Sequence, residues 1–277
     1  MDRVKEMLPA PVREVVEVVV DTATEFGEDE CGLRAAALAY YALLSVFPLL
    51  LFLIFITSVV IEAGGIREAL ISYVERAVPQ LANPAADLLE RTIESSASFG
   101  LAGALGLLWT ASALFTVLSS TFNVIWEADP RSLWHRRLIG LLSVIVVAIM
   151  FVFSILARTL LAFDLAAYTP LARTYVNTGV DLGVTVVLSW ILYTWLPNRK
   201  VDVRASLAAA VFTALLWQAA KIGFGLYLST GLERFGAVYG SLVSVIVLVL
   251  WVYISSLILF LGAEFGATLQ VRHFKSS

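Results

Sequence analysis

An uncharged run of 27 residues extends from Ala35 to Ile61, between Arg34 and Glu62. An α-helix rises about 1.5 Å per residue and the hydrocarbon core of a bilayer is roughly 30 Å thick, so this run can cross a membrane as one helix. Pro48 lies near its middle and predicts a kink, with the hydroxyl of Ser45 close enough to bond a freed backbone group. We therefore predict a first spanning helix with a hinge at Pro48.

The composition is that of a membrane protein. Apolar residues make up 60% of the 277 positions and charged residues 15%, against roughly 25% charged residues in a soluble domain. The apolar runs exceed about 18 residues, which predicts helices rather than the strands of a barrel. One cysteine, two histidines and a net charge of −3 predict no disulfide, no metal or other cofactor and no nucleic-acid partner.

Six apolar runs predict an all-α, polytopic integral membrane protein with six transmembrane helices. Pro197 and Asn198 follow the fourth run and mark the end of its helix at the interface. The runs form a transmembrane domain over residues 35–270, followed by a tail at 271–277. They cover approximately residues 35–61, 99–121, 138–163, 179–196, 205–228 and 241–265.

Two segments outside the runs predict amphipathic helices. In residues 1–34, apolar residues from Val12 to Phe26 recur at helical spacing opposite acidic residues, which predicts a surface helix packed against the bundle. In residues 62–98, two apolar stripes are separated by Pro79 and Pro84. This insert is predicted to form two short helices outside the bilayer.

The distribution of lysine and arginine among the connections predicts the orientation. Twelve of these residues fall on the side that holds both termini, and five fall on the opposite side. Because basic residues concentrate in cytoplasmic connections, both termini are predicted to be cytoplasmic. The predicted location is the inner membrane of a bacterium, with residues 62–98 outside the cytoplasm.

Two basic side chains lie within predicted spans, Arg158 in the third and Lys221 in the fifth. Charges inside a membrane are costly and commonly functional, so the pair predicts an outward-facing basic pocket for an anionic headgroup or solute. The alternative is a structural role, in which each chain reaches the outer surface or pairs with Asp164, Asp181 or Glu233. The sequence leaves both open.

Glu264 is a carboxylate near the end of the sixth predicted span. Counting residues along the spans places Arg34 and Arg137 at a similar depth. We predict a salt bridge from Glu264 to one of these arginines, with a proton-coupling role as the alternative.

Three tryptophans, Trp109, Trp217 and Trp251, each lie 10 to 12 residues from the end of a predicted span. Tryptophan usually prefers the interface, so a group near mid-membrane predicts indoles that face a cavity or find internal partners. Ordinary packing of bulky side chains is the alternative. The polar candidates for the same cavity are Ser112, Gln218 and Tyr253.

Sequence motifs of soluble enzymes are missing. The chain has no HExxH pair, no phosphate-binding loop with its lysine, and no GxSxG elbow. The prediction is a protein that is not an enzyme.

Four segments carry a resemblance to a known family: AAALAYYALLSVFPLLLFL, LWTASALFTVLSSTFNVIWE, YTWLPNRKVDVRAS and YGSLVSVIVLVLWVYISSLILFLGAEF. In order and spacing they resemble the YihY/BrkB family of bacterial inner-membrane proteins. The resemblance implies six spanning helices and cytoplasmic termini. The family once carried the label ribonuclease BN, but metal-dependent RNA cleavage needs a histidine and carboxylate cluster that this sequence lacks. Some relatives are regarded as transporters and others as serum-resistance factors.

The resulting expectation is a membrane transporter or translocator of lipid-like or anionic solutes, with membrane lipids as partners and a homo-oligomer left open. A second hypothesis is a membrane scaffold or envelope-assembly partner that docks through residues 66–97. An intramembrane enzyme or ribonuclease ranks third.

Overall fold

A computed structural model describes residues 9–64, 82–129, 138, 142, 170–239 and 242–275. All regular structure in these ranges is helical, which confirms the all-α class. The helices are α1 (Ala10–Glu28), α2 (Cys31–Gly64), α3 (Ala82–Ile125), α4 (Pro170–Trp195), α5 (Val203–Tyr239) and α6 (Leu242–Lys275).

Four of these helices contain a stretch long and apolar enough to cross a membrane. The stretches agree with the second, fourth, fifth and sixth predicted spans, and a shorter apolar stretch, Cys31–Val46, belongs to the first. The third predicted span, 138–163, lies outside the described residues except at 138 and 142. The protein is therefore a polytopic membrane protein. The four long stretches are Leu101–Ile125, Thr178–Trp195, Val203–Ser229 and Val245–Arg272.

Helix α2 continues through Pro48. The Ser45 hydroxyl donates a hydrogen bond of 2.6 Å to the carbonyl of Ala42, two residues before Leu44, whose carbonyl the ring of Pro48 displaces. The Pro48 ring packs on α3 so closely that a Cβ built on Gly106 would lie 3.1 Å from its Cγ. Glycine permits this close helix contact, and the hinge at Pro48 stays a prediction.

The insert between the first two spans differs from its prediction. Helix α3 begins at Ala82 and continues to Ile125, so the second predicted short helix is the first part of the second spanning helix. Pro84 lies in the first turn, where a missing backbone N–H breaks no intrahelical bond. The first predicted short helix falls on residues 65–81, outside the described residues.

The chain divides into two compact units, Met1–Tyr40 with Leu114–Ser277, and Tyr41–Ala113. In the first unit α4 packs against α5, α5 against α6, and α1 against α6. Its core contains Phe122, whose ring meets those of Tyr193 and Phe260 edge-on at centroid distances of 5.5 and 6.0 Å. All three side chains are fully buried.

A buried polar junction joins α4, α5 and α6. The Tyr193 hydroxyl donates a hydrogen bond of 2.7 Å to the carbonyl of Leu259 and lies 2.7 Å from the hydroxyl of Thr213. Gly262 of α6 faces this pair and leaves room for it. Lipid is as apolar as a leucine side chain, so hydrogen bonds and close packing of this kind hold spanning helices together.

Candidate functional site

A partly open cavity of about 870 Å³ lies in the first unit, between α1, the end of α3, the connection after α4 and the last turns of α6. Its wall is strongly charged, and among the described residues that line it carboxylates outnumber arginines seven to three. The charged lining residues are Glu14, Glu17, Asp21, Glu25, Asp29, Glu127 and Glu264, with Arg13, Arg199 and Arg272.

Helix α1 forms one wall because polar contacts fix it to α6. The Arg272 guanidinium pairs with Glu17 at 3.3 Å and with Asp21. The hydroxyls of Thr22 and Thr268 lie 3.4 Å apart. The amphipathic helix predicted from residues 12–26 therefore packs on the bundle, with its acidic residues along the cavity.

The connection after α4 forms a second wall. Helix α4 ends at Trp195, as Pro197 and Asn198 predict. The backbone N–H of Asn198 donates a bond of 2.8 Å to the side-chain carbonyl of Asn123, and its side-chain amide donates one of 3.0 Å to the carbonyl of Asp129. Arg199 in turn donates to the carbonyl of Trp126 at 3.1 Å. These bonds fasten the connection to the end of α3.

Asn123→Ala is expected to lower the free energy of unfolding by about 0.5–1.5 kcal/mol, because the Asn198 N–H loses the acceptor of a partly buried hydrogen bond. Asn123 is 5% exposed. The measurement is thermal unfolding of the detergent-purified protein. Asn198→Ala is the matched control, since it removes an exposed bond, and we expect a smaller loss. Equal losses in the two variants would contradict this assignment.

Glu264 projects from α6 into the wall of the cavity. It is 2% exposed and accepts a hydrogen bond of 3.4 Å from the Cys31 thiol. Its carboxyl also lies within hydrogen-bonding reach of the Asp29 carboxyl. The predicted salt bridge with Arg34 is not formed, because the Arg34 guanidinium donates at 2.8 Å to the backbone carbonyl of Asp29. The other predicted partner, Arg137, lies outside the described residues.

Burial in the acidic wall raises the pKa of two carboxyls outside the spans, Asp29 and Glu25. Burial raises the pKa of Asp29, and the hydrogen bond with Glu264 and the charge of Arg34 oppose part of that rise. Burial and the charge of Glu28 raise the pKa of Glu25. A carboxyl whose pKa rises on folding stabilises the folded state at pH values below its pKa in the unfolded chain. This contribution is lost as the pH rises through its pKa in the folded protein. The surroundings of Asp29 and Glu25 thus favour the protonated form of these two carboxyls more than water does.

Lys221 has a carboxylate partner. Its Nζ lies 3.2 Å from Asp181 Oδ2, and the two side chains are 31% and 25% exposed. Both residues lie in membrane-spanning stretches, on α5 and α4. The ion pair neutralises the positive charge that the sequence offers to an anionic ligand. The other predicted basic residue, Arg158, lies outside the described residues.

A known family profile matches most of the chain. The profile described as virulence factor BrkB matches residues 22–277. The chain belongs to the BrkB family. This membership and the apolar helices make it a multi-pass bacterial membrane protein.

Relatives of this BrkB-family chain carry names that assign little chemistry. It is 29% identical over 248 residues to a UPF0761 membrane protein of Alteromonas mediterranea, covering 87% of this chain and 84% of that protein. It is 27% identical over 254 residues to a putative ribonuclease-like protein, YfkH, of Bacillus subtilis. The match covers 86% of this chain and 90% of that protein. A UPF0761 membrane protein of Psychrobacter is 26% identical over 256 residues, covering 89% of this chain and 47% of the relative. The chain thus spans about half of that last protein. No solved structure matches this chain.

Trp217 and Trp251 of this BrkB-family chain do not line the described cavity. The rings of Trp217 and Trp251 meet edge-on with their centroids 5.6 Å apart, and the ring centroid of Phe224 lies 4.8 Å from that of Trp251. The two tryptophans therefore belong to the aromatic packing between α5 and α6. Trp109 belongs to the other unit and is 67% exposed. The polar candidates Ser112, Gln218 and Tyr253 are half-buried and do not line the cavity.

Of the residues singled out from the sequence, Glu264 lines the described cavity. Sequence reasoning missed Asp29, Cys31 and Asn123 as partners. A hydrogen-bonding role for Asn123 could have been predicted from the sequence, since an amide near the end of an apolar helix needs a partner. Asp29 and Cys31 carried none, because their roles depend on how α1 packs against α6.

Proposed function

We propose that this protein is a membrane transporter and that the described cavity is one end of its transport path. The observation that supports the proposal is Glu264, a carboxyl buried in a spanning helix and placed in the wall of an open cavity. Ionisable groups are costly inside a membrane, and where they occur they commonly line substrate or ion paths. On the predicted topology this cavity opens to the cytoplasm.

The charge of the wall favours a positively charged substrate. Each arginine of the wall pairs with a carboxylate of the wall, Arg13 with Glu17, Arg199 with Glu127, and Arg272 with Glu17 and Asp21. The remaining carboxylates give the cavity a negative field that attracts cations and repels anions. We therefore propose an organic cation, or a lipid-like molecule with a cationic headgroup, in place of the anionic solute expected from the sequence.

Proteoliposomes test the proposal. Uptake of a labelled polyamine and flipping of labelled cationic, zwitterionic and anionic lipids are measured for the wild type and for Glu264→Ala. We expect cationic molecules to move fastest, and Glu264→Ala to slow them about tenfold, the effect of losing roughly 1.4 kcal/mol of interaction in the transport step.

Glu28→Gln is the matched control, because Glu28 is an exposed carboxylate of α1 outside the cavity lining. Its transport rate should equal that of the wild type. Rates no faster than in empty liposomes for every probe would overturn the proposal. The scaffold hypothesis depends on residues 66–97, none of whose side chains belongs to the described part of the chain, and it stays a prediction.

A further inference from the structure

The inner wall of the cavity holds two carboxyls from different helical segments. Asp29 follows the last residue of α1, and Glu264 lies in α6. Their side chains lie within hydrogen-bonding reach of each other, and Glu264 is almost fully buried. This contact joins the end of α1 to a spanning helix.

The contact requires a hydrogen atom. An ionised carboxylate only accepts hydrogen bonds, so two carboxylates cannot bond each other unless one carries a proton. The Cys31 thiol donates to Glu264 and supplies nothing to Asp29. A proton on one of the two carboxyls completes the arrangement.

No cation among the described residues replaces that proton by a direct contact. Arg34 is directed to the backbone carbonyl of Asp29. Arg199 bonds the carbonyl of Trp126 and pairs with Glu127 at 4.0 Å. Arg272 pairs with carboxylates of α1 farther from the end of that helix.

We infer that Asp29 and Glu264 form a proton-binding site, and that the proton they share holds the end of α1 against α6. Both residues line the open cavity, so the proton exchanges with water there. Loss of the proton leaves two like charges side by side in a poorly hydrated place, which separates the end of α1 from α6 and widens the cavity.

The surrounding charges also favour a proton on the Asp29 and Glu264 pair. From α1, Glu25 and Glu28 lie near the site, and from the end of α3, Glu127 does so. All three add negative charge, and Arg34 of α2 offsets part of it. The pair titrates as a coupled unit rather than as two independent groups. The inference does not depend on transport, because it concerns the position of α1.

Distance measurement between two spin labels tests this site in the full-length protein. The labels are placed on Ala23→Cys in α1 and Val271→Cys in α6, both at exposed positions. The native Cys31 is fully buried and is left unlabelled, which a sample without the two new cysteines verifies. In the wild type we expect one short distance at low pH and a second, longer population that grows as the pH rises.

Glu264→Gln is expected to abolish this pH dependence. Its neutral amide donates to Asp29 at every pH, so the short distance persists throughout. Asp29→Asn removes the other carboxyl of the pair and is expected to abolish the pH dependence in the same way. It replaces Glu264→Gln as the test if that variant fails to fold. Glu28→Gln keeps both carboxyls and should keep the pH-dependent transition, moved to lower pH because the Glu28 charge that raises the pKa of Asp29 is lost.

Infrared difference spectroscopy gives a second readout. The band of a protonated carboxyl should disappear as the pH rises in the wild type, and be lost in Glu264→Gln and Asp29→Asn. One distance at all pH values in the wild type would overturn the inference. So would a transition that persists in both neutral variants. Failed transport in liposomes would leave these distance and infrared results unchanged, so the two proposals fail separately.

Discussion

Gly262→Ala is expected to disrupt the packing of α4, α5 and α6. A Cβ at Gly262 would overlap the Thr213 hydroxyl and lie 2.6 Å from the Tyr193 hydroxyl. Neither side chain can move aside, because both are buried and bonded to each other. Overpacking of a well-packed core costs typically 1–3 kcal/mol, and we expect a loss of about 3 kcal/mol or more in the free energy of unfolding.

Thermal unfolding in detergent, followed by size-exclusion chromatography, measures this loss. Gly223→Ala is the matched control on a spanning helix, since no atom lies within 4 Å of its added Cβ, and its stability should be no lower than that of the wild type, with a gain of up to about 1 kcal/mol from the helix propensity of alanine. Adding Thr213→Ala to Gly262→Ala removes the main overlap and should recover part of the loss. If Gly262→Ala proves as stable as Gly223→Ala, the described junction is incorrect.

The second large effect is expected at the ion pair of Lys221 and Asp181. Asp181→Asn leaves the Lys221 ammonium without its carboxylate inside a spanning helix. Breaking a fully buried pair costs about 3–5 kcal/mol, and the partial exposure of both side chains reduces the expected loss to about 1–3 kcal/mol. The double variant Asp181→Asn, Lys221→Met carries no charge and should be more stable than Asp181→Asn alone.

A double-mutant cycle measures the coupling between the two side chains. The exposed pair of Arg13 and Glu17, 3.9 Å apart on α1, is the control, and its coupling should be no more than about 0.5 kcal/mol. Strictly additive effects of the two substitutions at Lys221 and Asp181 would show that the pair adds no stability.

The spans were predictable because hydropathy sums over about 20 residues and tolerates local errors. The partners within the spans were not, because a contact also depends on helix rotation. Lys221 had three candidate carboxylates in the sequence, and Asp181 is its partner because α4 and α5 are antiparallel neighbours joined by a short connection. The continuity of α3 from Ala82 was missed because Pro84 was interpreted as a break rather than as a residue of the first turn.

The candidate site was predicted only at Glu264. Charge complementarity led to an arginine as its partner, whereas the structure brings a thiol and a second carboxyl to it. That rule assumes an ionised glutamate, and it fails where two acids share one place. The cavity itself depends on the docking of α1 on α6, which no periodicity along the chain encodes.

The contact between α1 and α6 also sets an order for biosynthesis. Thr22 and Thr268 are 246 residues apart, so at about 5–20 residues per second α1 leaves the ribosome roughly 10–50 s before its partner is complete. Until then its acidic face and the Cys31 thiol have no α6 to cover them. Accessibility of Cys31 to a thiol reagent during translation would therefore report when the last helix has been inserted.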